Sequence, residues 1–367
     1  MAEQKQFSFG ITTLMGARFG VLRFLLKKYG YDKKYRKKVF YTSLVSLIVT
    51  GLSYFDQLVF ALKKKPTHLK DPVFVLGHWR SGTTHLHNLL CLDEETAFTT
   101  TYQTVFPNNL FSFQWLFKGI MRIAMPSHRP VDNVKLDPNY PQEEEFALNN
   151  EIPFSFYNWW YFPKNTRAIA DEYLLDKTAS AEAKDEWSKN FKRFVTRCIL
   201  NTKGMRFISK NPPHTARIPE LLKLYPNAKF IFIHRNPYEV VRSTKAFYMS
   251  ILEGIKLQDI SDEQLLDDIL YVYKELIAKY ETDKLLIPQN NLLEVRYSDL
   301  VADSKTSIKT IYTELLKDDF SRIEKQLDAY LGKQSHALKD YQYKTEFVQK
   351  VNASISDIIT NQGYQKL

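Results

Sequence analysis

The chain has 367 residues, 44% of them hydrophobic, with 12 Gly, 15 Pro and no low-complexity tract. A packed core is within reach, long disorder is not expected, and the lack of a fixed-period repeat sets solenoids and propellers aside. The formal net charge of +10 suits an anionic partner, but no nucleic-acid motif and no basic run interleaved with stacking aromatics accompanies it, so nucleic acid is not the expected partner.

The opening M-A-E-Q-K-Q-F-S-F-G lacks the basic start and apolar run of a signal peptide. A reducing, cytoplasmic setting is expected. Cationic residues cluster at Lys27, Lys28, Lys33, Lys34, Arg36, Lys37 and Lys38, and again at Lys63, Lys64 and Lys65. Between the clusters, residues 39–62 are rich in apolar and aromatic side chains, yet Asp56 and Gln57 lie among them. An acid near mid-span costs roughly 2.5–3.5 kcal/mol on membrane-insertion scales. Thr42, Ser46, Thr50, Ser53 and Gln57 recur at helical spacing opposite Leu44, Ile48, Leu52, Phe55, Val59 and Leu62. The pattern predicts an amphipathic helix, either packed on the main domain or lying peripherally in a membrane interface and drawn there by the flanking lysines. Residues 1–66 are thus an N-terminal helical segment, and 67–367 the main domain.

After Asp71-Pro72, Val73-Phe74-Val75-Leu76 reads as a short buried strand. Gly77-His78-Trp79-Arg80-Ser81-Gly82-Thr83-Thr84 follows, and then a helical pattern with Leu86, Leu89 and Leu90. Strand, tight glycine turn and helix converge backbone N–H groups on one anion, and the helix N-terminus adds partial positive charge. Gly77 and Gly82 match the Walker A spacing, but Thr83 stands where that motif has its lysine. ATP hydrolysis is therefore poorly supported, and the cation has moved to Arg80. Cys91, just beyond, and Cys198 are 107 residues apart, neither a disulfide framework nor a metal pattern, and both read as buried, reduced core residues.

The acids of Pro141-Gln142-Glu143-Glu144-Glu145 suggest a helix start. Aromatic residues crowd 106–118 and 146–162, either as core or as an acceptor lining. Further on, the α/β rhythm returns. Met205–Ser209 reads as a strand, and a helix carries Ile218, Leu221, Leu222 and Leu224. Lys229-Phe230-Ile231-Phe232-Ile233 reads as a buried strand that runs into His234-Arg235-Asn236-Pro237, with a helix starting near Pro237. An arginine leaving the C-terminal end of a central strand points into the crevice where open α/β sheets bind ligands. Ser243 lies two helical turns on.

At this point G-H-W-R-S-G-T-T resembles the loop by which the sulfotransferase family holds the 5′-phosphosulfate of its donor, PAPS. I-H-R-N-P-Y-E-V-V-R-S resembles that family's 3′-phosphate site, where an Arg and a Ser eight residues later grip the phosphate. The likeness runs in order over roughly residues 70–316, and is nearer the broad bacterial and Golgi-type branch than the cytosolic steroid and phenol enzymes. The resemblance implies an α/β fold with a P-loop-like central parallel sheet flanked by helices. It implies donor binding by Gly77, Arg80, Ser81, Gly82, Thr83, Thr84, Arg235 and Ser243. It also implies that Tyr297, in the Y-x-D-L stretch after Leu292–Val295, contacts the adenine, and that Lys210 in S-K-N-P is catalytic beside Arg80.

Sulfuryl transfer needs fixed positive charge and positioning rather than a metal. It also needs a base. The tyrosyl-protein enzymes place a glutamate about twenty residues after the loop arginine, where this chain has Thr99-Thr100-Thr101-Tyr102-Gln103. Glu143 or Glu145 is the expected substitute, with His128 as runner-up. The expected acceptor is a small molecule, carbohydrate or lipid, attacked through a hydroxyl or amine. Lys333, Ser335, His336 and Tyr341 are placed to close over the donor. Two other readings stand beside this one: a P-loop kinase or NTPase, and a non-catalytic nucleotide- or membrane-binding module.

Overall fold

The computed structural model describes residues 12–125, 136–333 and 342–367. The opening ten residues, His128, Ser335, His336 and Tyr341 lie outside the described residues. Along the chain come helices α1 (Phe19–Tyr29) and α2 (Arg36–Leu62), then β1 (Val73–Leu76), α3 (Thr83–Leu90) and β2 (Thr96–Ala97). Helices α4 (Thr101–Val105), α5 (Gln114–Ala124), α6 (Glu144–Glu151), α7 (Thr166–Tyr173) and α8 (Ala181–Thr202) follow. Then come β3 (Arg206–Lys210), α9 (Ile218–Leu224), β4 (Lys229–His234), α10 (Pro237–Ile255) and α11 (Asp262–Asp283). The order ends with β5 (Leu292–Arg296), α12 (Tyr297–Ala302), α13 (Ser304–Thr310), α14 (Ser321–Leu331) and α15 (Thr345–Asn361).

The chain forms two compact units, each assembled from separate stretches. One holds the described residues up to His68, with Phe98–Lys203 and Lys245–Leu265. The other holds Leu69–Ala97, Gly204–Thr244 and Leu266–Leu367. The first stretch ends at His68, close to the expected boundary at 66, but it groups with two later stretches of chain. The N-terminal helices belong with α4 to α8, because their polar groups bond there: Arg18 Nε donates to Asn108 Oδ1 at 2.9 Å, and Arg18 N to the Asn150 carbonyl at 3.2 Å.

The second unit carries the sheet. Its strands lie in the order β2-β3-β1-β4-β5 and pair in parallel throughout. Fully buried strands of a parallel sheet are apolar on both faces, and Val73–Leu76 is buried at every position. Val73, Val75, Ile208, Ile231 and Ile233 point to one side, against α3 and residues of α12 to α14 such as Leu300, Ile308 and Ile323. Phe74, Phe230 and Phe232 point to the other: Phe74 stacks on Phe230 at 5.6 Å between ring centroids, and Phe232 on Tyr280 of α11 at 3.7 Å. From β1 the chain moves toward β2 and β3, whereas β4 continues outward to β5. The crevice at the ends of β1 and β4 is thus the reversal point of the sheet, where open α/β sheets bind ligands.

The first unit is helical. Tyr157, Trp160, Tyr161 and Phe162 are buried with Phe191 and Phe194, so much of the 146–162 aromatic cluster is core. Cys198 is buried and Cys91 partly exposed, and neither is in a disulfide. The 39–62 pattern folds as one helix, and it is the polar side that packs against the protein rather than the apolar one. Thr42, Ser46 and Ser53 of the polar stripe are buried, with Asp56 beside them, Thr50 is half-buried and Gln57 exposed, while Leu44, Ile48, Phe55, Val59 and Leu62 of the apolar stripe are exposed and Leu52 is half-buried. The polar stripe serves as an internal hydrogen-bonding seam. Thr42 Oγ1 accepts from Thr12 N at 3.1 Å, Ser46 Oγ donates to the Ala17 carbonyl at 2.7 Å, and Thr50 Oγ1 accepts from Phe19 N at 2.8 Å. Asp56 Oδ1 accepts from the backbone N–H groups of Phe111 and Ser112 at 2.6 and 2.8 Å. Its other oxygen faces the buried guanidinium of Arg197 at 3.3 Å, which also bonds Glu151.

Candidate active site

The loop that joins β1 to α3 is held open by backbone geometry few side chains tolerate. Gly77 sits at φ +141°, and a Cβ there would collide with the Ile233 carbonyl oxygen. Gly82 sits at φ +105°, and a Cβ there would strike the ring of Tyr297. Arg80 itself is left-handed, at φ +69°, a strained state for a long side chain that surrounding contacts must maintain. Gly77 N donates to Thr215 Oγ1 at 2.8 Å, Ser81 N to the His78 carbonyl at 3.2 Å, and Thr244 Oγ1 to the Trp79 carbonyl at 3.4 Å. His78 is buried against Tyr273, with ring centroids 4.6 Å apart, and burial holds its pKa down to about 4.

The loop ends at the N-terminus of α3, where Gly82 supplies no capping side chain and Thr83 and Thr84 open the helix. The first amides of a helix have no intrahelical acceptor and favour an anion. Ser81 Oγ is buried and has no hydrogen-bond partner among the described residues. An orphaned hydroxyl beside uncapped amides and a forked cation fits a phosphate or sulfate group.

The other predicted donor residues come to the same place. Arg80 Nε donates to Ser243 Oγ at 3.1 Å, so the loop cation touches the second half of the Arg235/Ser243 pair. The Arg235 guanidinium lies 4.6 Å from the centre of the Tyr297 ring, and that ring covers Gly82. Tyr297 is the first residue of α12. Arg235 is engaged by Glu239, one helical turn on, through Nε at 2.8 Å and a second bond from its terminal nitrogen. Glu239 was not singled out from sequence, although its i,i+4 spacing from Arg235 was legible. Thr215, which anchors Gly77 from 138 residues away, left no local signal.

Lys210 is the last residue of β3, in register with Val75, and is buried rather than a surface lysine. Its charge lies near His87, whose ring is held down to a pKa of about 3, chiefly by burial and then by Lys210. Glu143 and Glu145 belong to the first unit. Glu145 is fully buried, and its Oε1 accepts from Ser155 Oγ at 2.9 Å and Phe156 N at 3.2 Å. That carboxylate holds the turn after α6. Glu143 is the partly exposed acid just ahead of α6, and its Oε2 accepts the Tyr157 hydroxyl. Lys333 is exposed in the turn after α14.

The parallel sheet and the glycine loop at its reversal point define an α/β protein of P-loop-like architecture. The model of the sulfotransferase family matches residues 72–317, which is 246 of the 367 residues. The omega-hydroxy-beta-dihydromenaquinone-9 sulfotransferases Stf3 of Mycobacterium bovis and Mycobacterium tuberculosis are each 31% identical over 339 residues, covering 92% of this chain and 86% of theirs. This chain belongs to the sulfotransferase family and is an enzyme of sulfuryl transfer. Among solved structures, the sulfotransferase STF9 from Mycobacterium avium superposes with a TM-score of 0.69 at 16% identity, covering 95% of this chain and 97% of that one. The sulfotransferase STF1 from Mycobacterium tuberculosis H37Rv gives 0.64 at 19% identity, covering 91% and 90%. At these identities both likenesses establish the fold.

Proposed function

We propose that the enzyme moves the sulfuryl group of PAPS to a hydroxyl of an apolar, lipid-like small molecule and releases PAP. The observation that carries the donor half is the convergence of the 77–84 loop, Arg80, Ser243, Arg235 and Tyr297 at the ends of β1 and β4. The 5′-phosphosulfate fits the loop and the N-terminus of α3, the 3′-phosphate fits Arg235 and Ser243, and the adenine fits Tyr297. The acceptor half rests on the Stf3 relatives, whose names specify a hydroxylated menaquinone as substrate.

In this reading the acceptor oxygen attacks sulfur in line. The S–O bond to the phosphate breaks as the new O–S bond forms, and the electron pair stays on the departing PAP. Arg80 neutralises that phosphate through its fork, and Lys210 offers a point charge to the sulfuryl oxygens. Glu143 takes the acceptor's proton, and Tyr157 orients its carboxylate. The cations supply the electrostatic stabilisation, so the reading assigns no step to a metal.

Calorimetric titration with PAP, beside ATP plus Mg²⁺, tests the donor site. Tight PAP binding that Arg235→Ala weakens by more than about tenfold, with little affinity for ATP, is the expected result. ATP binding indifferent to Arg235 would overturn the assignment of the donor site. Transfer of labelled sulfate from PAPS to an omega-hydroxylated isoprenoid quinone, against a phenol and a sugar, tests the acceptor class.

A further inference from the structure

Helix α2 is built inside out for a protein in water. Over its 27 residues, about 40 Å at 1.5 Å per residue, it turns hydroxyls and Asp56 inward and Phe40, Leu44, Leu47, Ile48, Phe55, Leu58 and Leu62 outward. Leu62 is 81% exposed. The apolar surface does not stop at α2. Phe55 meets Phe113 edge to face at 6.2 Å, and Phe60 stacks on Phe111 at 5.9 Å. Asp56 fixes this junction by binding the amides of Phe111 and Ser112. Phe113 then leads into α5, which buries Phe117 and Met121 and exposes Trp115, Leu116, Ile120 and Ile123. Those four recur on one side of the helix. Trp115 is 77% and Ile123 90% exposed, and a surface of this extent marks an interaction site.

Charge identifies the occupant. Exposed Arg36 and Lys37 stand at one end of α2, exposed Lys63, Lys64 and Lys65 at the other, and exposed Arg122 beside Ile123. Asp56 is the one acid between residues 36 and 65, it is buried, and α5 contains none. A second copy of the chain docked on the same face would bring cations against cations in either orientation, because both ends of α2 are basic. An anionic lipid surface is complementary to all of them. Tyr41, Tyr54 and Trp115 are exposed on the two helices, and their amphipathic rings suit the headgroup level.

We propose that α2 and α5 together form a membrane-docking face that lies in the plane of an anionic bilayer, with their exposed apolar side chains among the outer acyl segments. The face does not span the bilayer: the seam of Thr42, Ser46, Thr50 and Asp56 is bonded to residues 12–19 and 111–112 of the same unit. Stripping those groups into hydrocarbon would leave them unpartnered. The docking face goes beyond the acceptor reading, since it would bring the enzyme to any lipid-borne substrate.

The test is flotation of the full chain with vesicles of phosphatidylglycerol and phosphatidylcholine, beside vesicles of phosphatidylcholine alone. The wild type should float with the anionic vesicles and less with the neutral ones. Leu58→Glu with Ile48→Glu on α2, and separately Trp115→Glu with Ile123→Glu on α5, should each lower the partition about tenfold or more, since each removes large inserted side chains. Charge reversal of Lys63, Lys64 and Lys65 to Glu should abolish the preference for anionic lipid. PAP titration and the melting temperature should stay near wild type in all three, which separates a failed membrane face from a failed donor site or a failed fold. Wild type that stays in solution, or α5 variants that float like wild type, would overturn the two-helix face. A wild-type dimer that Ile123→Glu dissociates, with no flotation, would assign the surface to a second copy instead.

Discussion

At the scale of single residues, the proposed donor site holds Arg235 against Glu239 and Arg80 against the Ser243 hydroxyl. Arg235→Ala should weaken PAP binding about 30- to 150-fold, the 2–3 kcal/mol typical of charge-assisted hydrogen bonds. Arg235→Lys should recover little of it, because a point charge cannot reproduce the fork or its stacking on Tyr297. Glu239 holds Arg235, and in the proposed donor pose it would compete with the 3′-phosphate for that guanidinium. Glu239→Gln is therefore expected to tighten PAP several-fold by calorimetry, and a weaker complex would show that the carboxylate positions the guanidinium rather than competing for it. His78 and His87 give a pH signature. Burial depresses both, to about 4 and about 3. Below about pH 6.5 the unfolded chain binds protons that the folded protein refuses, so stability falls as pH drops from about 6.5 toward 4. Chemical denaturation across that window should show the loss, with a shallower slope in His78→Gln.

Elements show where local pattern and packing agree and where they part. The loop between β1 and α3 depends on Gly82, whose positive φ and contact with Tyr297 both exclude a Cβ. Gly82→Ala should cost at least tenfold in PAP affinity, through a displaced Tyr297 or a distorted loop. Helix α2 is the contrary case. Its periodicity predicted two opposed stripes, and most of each is there, Gln57 and Leu52 excepted, but an amphipathic period alone does not say which stripe meets solvent. Asp56 decided it: a carboxylate with two backbone donors and Arg197 to satisfy is more stable inside. Asp56→Ala would leave Arg197 and the two amides short of a partner, with an expected loss of about 3–5 kcal/mol. A denaturant midpoint near wild type would argue against the seam.

For the whole molecule, the interleaving of the units matters most. Both are assembled from discontinuous stretches of chain, so neither can be excised as a single segment. The boundary at residue 66 that composition suggested separates α1 and α2 from the helices they bond. A chain starting at residue 67 should be insoluble or lose its cooperative melt, because Asn108, Asn150 and Arg197 would lose partners at once. A stable truncated chain with normal PAP binding would restore the simpler division.

The sequence by itself determined the parts made by neighbours in the chain. These are the strand, glycine turn and helix of residues 73–90, the buried strand 229–233 that runs into His234 and Arg235, the eight-residue step to Ser243, and the family those motifs resemble. Each depends on backbone conformation or on spacing along one element, which short-range chemistry dictates. The tertiary structure alone decided what depends on residues far apart. It set the strand order, buried Lys210, anchored Gly77 through Thr215 and committed Glu145 to a turn. It also turned the apolar stripe of α2 outward. Burial and hydrogen-bond satisfaction are settled by the whole set of neighbours a side chain finds, and those neighbours come from segments that no local pattern connects.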